Sequence, residues 1–274
     1  MTAAQAATDS KEDTMKVLTL DSREAAGAAG AALVRDCVEA KPDAVLGFAT
    51  GSSPLPLYDA LAESGLDFSR VRGFALDEYI GLPPGDPRSY AAVIDTEVVR
   101  RLGLRPGSVR VPDVAAADLD EAARDYERAI RAAGGVDLQI LGIGHNGHLA
   151  FNEPGAALDS RTRVEQLAER TRRANARFFD SPDQVPTRCL TQGIGTILDA
   201  RELLLIAHGA DKADIIARAL QGPVSPDCPA SALQLHPRVT VLLDRAAAAG
   251  LPPGFATGFA TGSAAGSSAG EGGQ

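Results

Sequence analysis

A histidine and a glutamate five positions apart could form an acid–base pair in this sequence. They are His148 and Glu153, within the segment LGIGHNGHLAFNEP at residues 141–154. A carboxylate partner fixes the tautomer of an imidazole and stabilises its cation, as a proton-transferring histidine requires. His145 stands three positions before His148 and could suggest a metal site, but no third ligand lies at a suitable spacing. We therefore expect an acid–base site without a metal; the alternative is a histidine that only satisfies a turn.

Two adjacent carboxylates, Asp77 and Glu78, follow directly after the apolar run Val71–Leu76. Carboxylates beside a buried run are costly unless they are solvated, paired or used in chemistry. One interpretation is a general base in a partly dry pocket, close to a proton that it abstracts. The other is that both side chains cap the next element, and the sequence leaves the two open.

A turn of glycine and hydroxyl residues, TGSSP at residues 50–54, follows the apolar run Ala44–Ala49. Such a turn at the start of a helix offers free N–H groups, hydroxyl donors and the positive end of the helix dipole, which suit a phosphate. The spacing is neither that of a Walker loop nor GxGxxG. An ordinary helix start, with Ser53 as N-cap and Pro54 in the first turn, is the alternative. The candidate phosphate ligands are Thr50, Gly51, Ser52 and Ser53.

Two cations could complete such a site. Arg177 precedes Phe178-Phe179, and Lys212 opens a helix after a strand-like run. Each alone is typical of a surface charge, but the position after a strand end is where α/β sheets collect ligands. Together these positions indicate a phosphorylated small molecule and acid–base chemistry.

The elements that position these residues alternate between strand-like and helix-like. Short runs rich in Val, Ile and Leu predict strands at 44–49, 71–76, 138–143, 202–207 and 239–243, after a first strand at 16–20. Amphipathic stretches predict helices at 23–39, 54–64, 90–102, 118–133 and 211–221. This alternation predicts a doubly wound α/β fold: a mostly parallel sheet with helices on both faces, a Rossmann-like three-layer sandwich.

Composition excludes several classes of protein. The 274 residues carry 27 basic and 36 acidic side chains, a formal charge of −9, which argues against a general nucleic-acid binder. No apolar run is long enough to span a membrane, and three widely spaced cysteines suit a reducing cytoplasm. We expect a loose leader at 1–14, one catalytic domain at 15–249 and a disordered Gly/Ala/Ser-rich tail at 250–274. The sequence is compatible with a monomer or a homo-oligomer.

Several segments, read together, resemble the glucosamine-6-phosphate deaminase family over roughly residues 15–248. They include LGFATGSSP, FALDEYIGL, LGIGHNGHLAFNEPG, ANARFFD and PASALQLH. The resemblance implies deamination of D-glucosamine 6-phosphate with water to D-fructose 6-phosphate and ammonia, without a metal or organic cofactor. It implies Asp77 as the enolisation base, and His148 with Glu153 and Asn146 for ring opening. It places the phosphate on residues 50–53, Arg177 and Lys212.

Two departures from the family pattern bear on function. Asn146 stands where some members carry an aspartate, so support for His148 would come from the Glu153 charge and an Asn146 hydrogen bond. The allosteric phosphate site of the regulated members corresponds here to Ala156, Arg163 and Glu165, with no tyrosine beyond Tyr126. The resemblance therefore implies the unregulated branch, with no activation by N-acetylglucosamine 6-phosphate. A 6-phosphogluconolactonase and a non-catalytic sugar-phosphate sensor of the same fold are the alternatives.

Overall fold

The computed structural model describes residues 15–255 and 257–258. Its strands are β1 (Met15–Leu20), β2 (Val45–Phe48), β3 (Arg72–Ala75), β4 (Asp77–Ile80), β5 (Val109–Arg110), β6 (Leu138–Leu141), β7 (Arg163–Gln166), β8 (Arg188–Thr191), β9 (Glu202–Ala207), β10 (Val239–Asp244) and β11 (Thr257–Gly258). Its α-helices are α1 (Arg23–Ala40), α2 (Leu55–Glu63), α3 (Tyr90–Ile94), α4 (Leu119–Ala132), α5 (Glu169–Asn175), α6 (Ile194–Leu198) and α7 (Ala213–Gln221).

Eight of these strands form one parallel sheet in the order β11-β1-β10-β9-β6-β2-β3-β5. The four residues of β2 and of β6 are all buried, as the apolar runs predict for a sheet covered on both faces. The predicted α/β class and mostly parallel sheet are confirmed.

The chain winds outward from the middle of this sheet in both directions. From β2 it proceeds through β3 to β5, and from β6 through β9 to β10. Because crossovers between parallel strands are right-handed, the two directions place their helices on opposite faces. Helices α1 and α2 belong to crossovers that run in the same direction, from β1 to β2 and from β2 to β3, and they pack against each other. The order reverses between β2 and β6, and the carboxyl ends of strands at such a reversal form a crevice for ligands.

A smaller antiparallel sheet of three strands, β4-β8-β7, lies beyond the main sheet. Strand β4 begins at Asp77, two residues after β3 ends, so the chain changes sheets where the carboxylate pair stands. The Gln192 side chain secures this corner, since its amide donates to Ala75 O at 2.9 Å and the Gln192 backbone N–H donates to Leu76 O at 2.8 Å. The sequence did not predict this second sheet.

The predicted helices and strands correspond to observed ones, with differences at their ends. The helix expected at 90–102 is α-helical over Tyr90–Ile94 and then continues as a π-helix over Asp95–Arg100. The leader at 1–14 lies outside the described residues. So does most of the expected disordered tail, but Thr257–Gly258 pairs with β1. Within the described residues, no helix is both long and apolar enough to cross a membrane.

Candidate active site

An open cleft of about 890 Å³ lies at the carboxyl ends of the central strands. Its walls come from the segments that follow β2, β3, β6 and β9, together with α5 and the turn after it. Of the ten residues predicted for the site, these line the cleft: Thr50, Gly51, Ser52, Ser53, Asp77, His148, Arg177 and Lys212. The other two, Asn146 and Glu153, lie behind His148. Segments far apart in the sequence thus meet where the switch-point rule predicts.

The turn after β2 lines the cleft with its hydroxyl residues, and Ser53 does not cap the helix that follows. Helix α2 begins at Leu55, its N-cap is Pro54, and no side chain caps it. The interpretation of Ser53 as an N-cap is therefore wrong, because the cap position falls one residue later. Gly51 has a φ of +89°, a conformation that L side chains rarely adopt. Ser52 is exposed and Ser53 half-buried, as ligand-binding groups at a rim must be.

Lys212 and Arg177 contribute positive charge to the same cleft. The Lys212 ammonium donates to Ile143 O at 3.0 Å, which holds it beside the end of β6. Burial lowers the pKa of Lys212, and the nearby Arg177 lowers it further, while Asp211 opposes both. The Arg177 guanidinium lies 4.7 Å from the ring centre of Phe178, on the exposed turn Ala176–Phe178. A bound dianion would relieve the repulsion between these two cations.

The two adjacent carboxylates differ in their surroundings: Glu78 caps the next helix, and Asp77 lines the cleft. Glu78 faces away from the cleft and accepts backbone N–H groups from Tyr79, Tyr90 and Ala91 at 2.7, 2.9 and 2.7 Å. It thereby caps the start of α3. Asp77 lines the cleft, is 5% exposed, and receives no hydrogen bond from the described residues. Burial raises the pKa of Asp77 well above its ordinary value, and the Glu78 charge raises it further.

His148 and Glu153 meet through a compact loop after β6. Glu153 Oε2 lies 3.8 Å from His148 Nδ1 and accepts a 2.6 Å hydrogen bond from the Asn146 amide. Asn146 Oδ1 in turn accepts the His148 backbone N–H at 3.2 Å. A Cβ on Gly144 would overlap the His148 ring, so glycine leaves room for the ring in this position. His148 Nδ1 is buried and has no hydrogen-bond partner among the described residues.

Burial would raise the pKa of Glu153, but its neighbours outweigh this. The adjacent His148 ring and a hydrogen bond from the Thr171 hydroxyl hold the pKa of Glu153 below its ordinary value. Glu153 is therefore ionised at neutral pH. Its fixed negative charge lies 3.8 Å from His148 Nδ1, where it can orient the imidazole ring.

Backbone strain is concentrated in the same loop. Ala150, which lines the cleft, has a φ of +51°, a conformation that costs a non-glycine residue about 1–3 kcal/mol. The neighbouring Asn152 holds this turn, since its amide donates to Leu149 O at 2.9 Å and to Gln192 O at 2.8 Å. The loop is thus fixed to the corner that carries Asp77.

The lining residues that the sequence did not single out include four with polar or aromatic side chains: Tyr90, Phe151, Thr171 and Asn175. The segment at 169–175 is polar and strongly charged, and no apolar stripe marks which of its sides packs inward. A spacing of four between Thr171 and Asn175 was the available signal, because it places both on one face of a helix. His145 pairs with Asp211 at 2.7 Å. No group of three metal-ligating side chains occurs in the parts of the chain that the structure covers.

Comparison with known proteins shows which family this chain belongs to. A family model described as glucosamine-6-phosphate isomerases/6-phosphogluconolactonase matches residues 21–242. A glucosamine-6-phosphate deaminase of Arthrobacter sp. is 56% identical over 241 residues, covering 86% of this chain and 93% of that protein. Its counterpart in Mycolicibacterium smegmatis is 53% identical over 242 residues, with the same coverage.

Solved structures agree with these sequence relatives. A monomeric glucosamine-6-phosphate deaminase superposes with a TM-score of 0.84 at 42% identity, over 86% of this chain and 100% of that one. A 6-phosphogluconolactonase from Trypanosoma cruzi shares the fold with a TM-score of 0.68 at 21% identity, over 86% and 96% of the two chains. The chain is an enzyme of the glucosamine-6-phosphate isomerase/6-phosphogluconolactonase family.

Proposed function

We propose that this chain converts D-glucosamine 6-phosphate and water to D-fructose 6-phosphate and ammonia. The observation that carries the proposal is one cleft that holds a hydroxyl turn, two cations, a buried carboxylate and a histidine with its own carboxylate. Sequence relatives named glucosamine-6-phosphate deaminase, 51–56% identical over most of their length, support the same reaction.

The phosphate end of the substrate binds between the turn at 50–53 and the cations Arg177 and Lys212. Arginine grips phosphate oxygens with two parallel donors, and lysine adds a point charge. A dianion held away from the reacting carbons supplies binding energy that orients them.

Ring opening falls to His148. It moves a proton from the anomeric hydroxyl to the ring oxygen, which breaks the bond between C1 and that oxygen and gives the open-chain aldehyde. Glu153 stabilises the imidazolium that exists between the two transfers, and Asn146 keeps Glu153 in place.

Isomerisation falls to Asp77. Its carboxylate takes the proton from C2 and returns one to C1, while a proton passes from the amine to O1, so the C1 aldehyde becomes a hydroxymethyl group and the C2 amine becomes an imine. Water adds to this imine and ammonia leaves, which gives the C2 ketone of fructose 6-phosphate. Because burial makes Asp77 a stronger base than an exposed aspartate, it is suited to a weakly acidic C–H.

Two alternatives from the same fold are weaker. A 6-phosphogluconolactonase hydrolyses an ester and needs no base for a C2 proton; the lactonase structures resemble this chain at only 17–22% identity. A sugar-phosphate sensor needs neither Asp77 nor the pair His148–Glu153. Buried charges kept for no use would be costly, which favours catalysis.

We also propose that the enzyme is not activated by N-acetylglucosamine 6-phosphate. Glu165 engages Arg163 with contacts of 2.8 and 3.0 Å, and Arg163 also donates to Asn152 at 2.9 Å. The one cation of the corresponding region is thus neutralised within the protein. A phosphate there would have to displace a carboxylate.

We place the enzyme in the cytoplasm, in amino-sugar catabolism, with no metal or organic cofactor. Every residue proposed for the site comes from one chain, so a monomer suffices for catalysis. The solved relative described as monomeric supports this, and a homo-oligomer stays open.

A coupled assay of ammonia and fructose 6-phosphate tests the proposal. Glucosamine 6-phosphate should yield both products in equal amounts, and the rate should not change when N-acetylglucosamine 6-phosphate is added. Hydrolysis of 6-phosphogluconolactone without ammonia release would favour the lactonase. Binding of glucosamine 6-phosphate without turnover would favour the sensor.

A further inference from the structure

Helix α5 turns two residues of one face toward the site. Thr171 and Asn175 lie four positions apart, so their side chains share a face, and both line the cleft. The opposite face carries an exposed ion pair between Glu169 and Arg173. The helix therefore carries polar side chains on both faces. On its inner face, Thr171 and Asn175 form hydrogen bonds to residues around the site.

Thr171 is bound to the carboxylate behind His148. It is 4% exposed, and its hydroxyl donates to Glu153 Oε1. The other oxygen of Glu153 accepts from Asn146 at 2.6 Å. Both oxygens are therefore engaged, by one donor from the loop after β6 and one from α5. With two fixed donors a carboxylate cannot rotate freely, so its distance from His148 depends on where α5 lies.

Asn175 holds the same helix at its other end. Its amide donates to the Tyr79 hydroxyl at 2.8 Å, and Tyr79 packs edge-on against Phe179 with ring centres 6.0 Å apart. Tyr79 belongs to β4, the strand that begins with Asp77. The turn carrying Arg177 follows directly after Asn175. One short segment therefore contacts the surroundings of both carboxylates and also carries a phosphate ligand.

We propose that Thr171 is a positioning residue that fixes the Glu153 carboxylate toward His148. The inference rests on the proposed function, in which Glu153 supports His148 during ring opening. Thr171 acts through Glu153 and has no role in the transfer itself. Loss of its hydroxyl removes a donor to the ionised form, so the pKa of Glu153 rises when Thr171 is changed.

The test compares Thr171→Val, which keeps the shape but loses the hydroxyl, with Thr171→Ser, which keeps the hydroxyl. Glu169→Gln, on the outer face of α5, is the matched control. Protein labelled with ¹³C at glutamate carboxyls is titrated by NMR, and the Glu153 signal is assigned by its absence in Glu153→Gln. Kinetics with glucosamine 6-phosphate and inhibition by inorganic phosphate are measured on the same proteins.

We expect Glu153 to titrate at higher pH in Thr171→Val than in the unaltered protein, and at its original pH in Thr171→Ser. We expect kcat to fall about ten-fold in Thr171→Val, since a hydrogen bond to a charged group is lost. Inhibition by inorganic phosphate should change less than two-fold, and Glu169→Gln should match the unaltered protein throughout.

An unchanged Glu153 titration in Thr171→Val, or no recovery in Thr171→Ser, would overturn the inference. Equal losses of phosphate inhibition and kcat would also overturn it, because they would mean that Thr171 only maintains the fold of α5. If the unaltered protein releases no ammonia, the proposed function fails. The NMR titration still decides whether Thr171 positions Glu153.

Discussion

Two carboxylates of the site, Asp77 in the cleft and Glu153 behind His148, stand in opposite surroundings. Asp77 lies at the corner between the two sheets, 5% exposed, with no donor among the described residues and with Glu78 as its neighbour. Glu153 lies in the loop after β6, with a donor on each oxygen and the His148 ring nearby. The pKa of Asp77 is raised and that of Glu153 is lowered.

This difference shows how one site can hold two carboxyl groups whose pKa values are shifted in opposite directions. A carboxylate with a raised pKa is a better base, and one with a lowered pKa remains a fixed negative charge. Burial alone does not decide the direction, since both groups are largely buried. At Asp77 burial and the Glu78 charge raise the pKa, whereas at Glu153 the His148 ring and hydrogen bonds from Thr171 and Asn146 outweigh burial.

Asp77→Asn tests the first half of the comparison and has the largest expected effect. The substitution keeps the size of the side chain but removes the base, so kcat should fall by a factor of about 10² to 10⁴. Stopped-time assays of ammonia release measure this. Inorganic phosphate should still inhibit any residual activity, or bind by calorimetry, as before. A variant with normal turnover would assign the base to another group.

His148→Gln tests the second half. Without an imidazole, opening of the pyranose should slow by about a hundred-fold, whereas an open-chain substrate analogue should lose much less. Rates on the two substrates are compared in the same buffer. Equal losses on both would mean that His148 acts after ring opening, and the division of tasks would not hold.

Arg177→Ala touches neither carboxylate. It should raise KM about ten- to hundred-fold through lost charge-assisted hydrogen bonds, with little change in kcat. Initial rates over a range of substrate concentrations separate the two constants. If kcat falls as strongly as KM rises, phosphate binding and proton transfer are not separate functions of the cleft.

Glu78→Gln should move the pH profile. The acid limb of kcat/KM reports the titration of Asp77, because its pKa is raised whereas that of Glu153 is lowered. The Glu78 charge contributes to raising the pKa of Asp77. Activity should rise with pH as Asp77 loses its proton, and removal of the Glu78 charge should shift that limb to lower pH. Ser89→Ala is the matched control, because Ser89 caps the same helix at Ala92 N without a charge. A shift of equal size in both variants would attribute the effect to α3 instead of the charge.

Glu127→Gln addresses another buried carboxylate, outside the cleft. Burial raises its pKa, but hydrogen bonds from Thr162, Thr196 and Arg161 lower it to about 2. Since this pKa lies below that of an unfolded glutamate, near 4.3, the stabilisation is present above that pH and is lost as pH falls toward 2.

The variant should lose about 2 kcal/mol of unfolding free energy at neutral pH, with unchanged kcat. Urea unfolding at pH 7 and pH 3 measures it, and the difference from the unaltered protein should shrink at pH 3. Glu121→Gln, an exposed partner of Arg124 on the same helix, is the control and should change little. A loss of activity in Glu127→Gln would mean that Glu127, although it lies outside the cleft, contributes to catalysis as well as to stability.

Much of the site could be predicted because parallel strands end at one edge. Ser52, Asp77, His148 and Lys212 follow four different strands, and a doubly wound order brings those ends together. The sequence could not show which of Asp77 and Glu78 faces the cleft, since both follow the same buried run. The answer depends on strand β4, which leaves the main sheet and turns alternate side chains to opposite sides.

The contacts of α5 could not be predicted from the sequence either, because they join residues that are far apart in the chain. Asn175 meets Tyr79 across 96 positions, and Thr171 meets Glu153 across 18. A helix of seven residues with charges on most sides has no apolar stripe that predicts its packed face. Only the position of its neighbours shows which face is inward.

The residues alone determined the alternating elements, the parallel sheet and the set of side chains at its edge, because hydrophobic period and turn chemistry are local properties. The tertiary structure decided the protonation of the two acids. A pKa depends on burial and on donors from distant segments, and those distances exist only once the chain has folded.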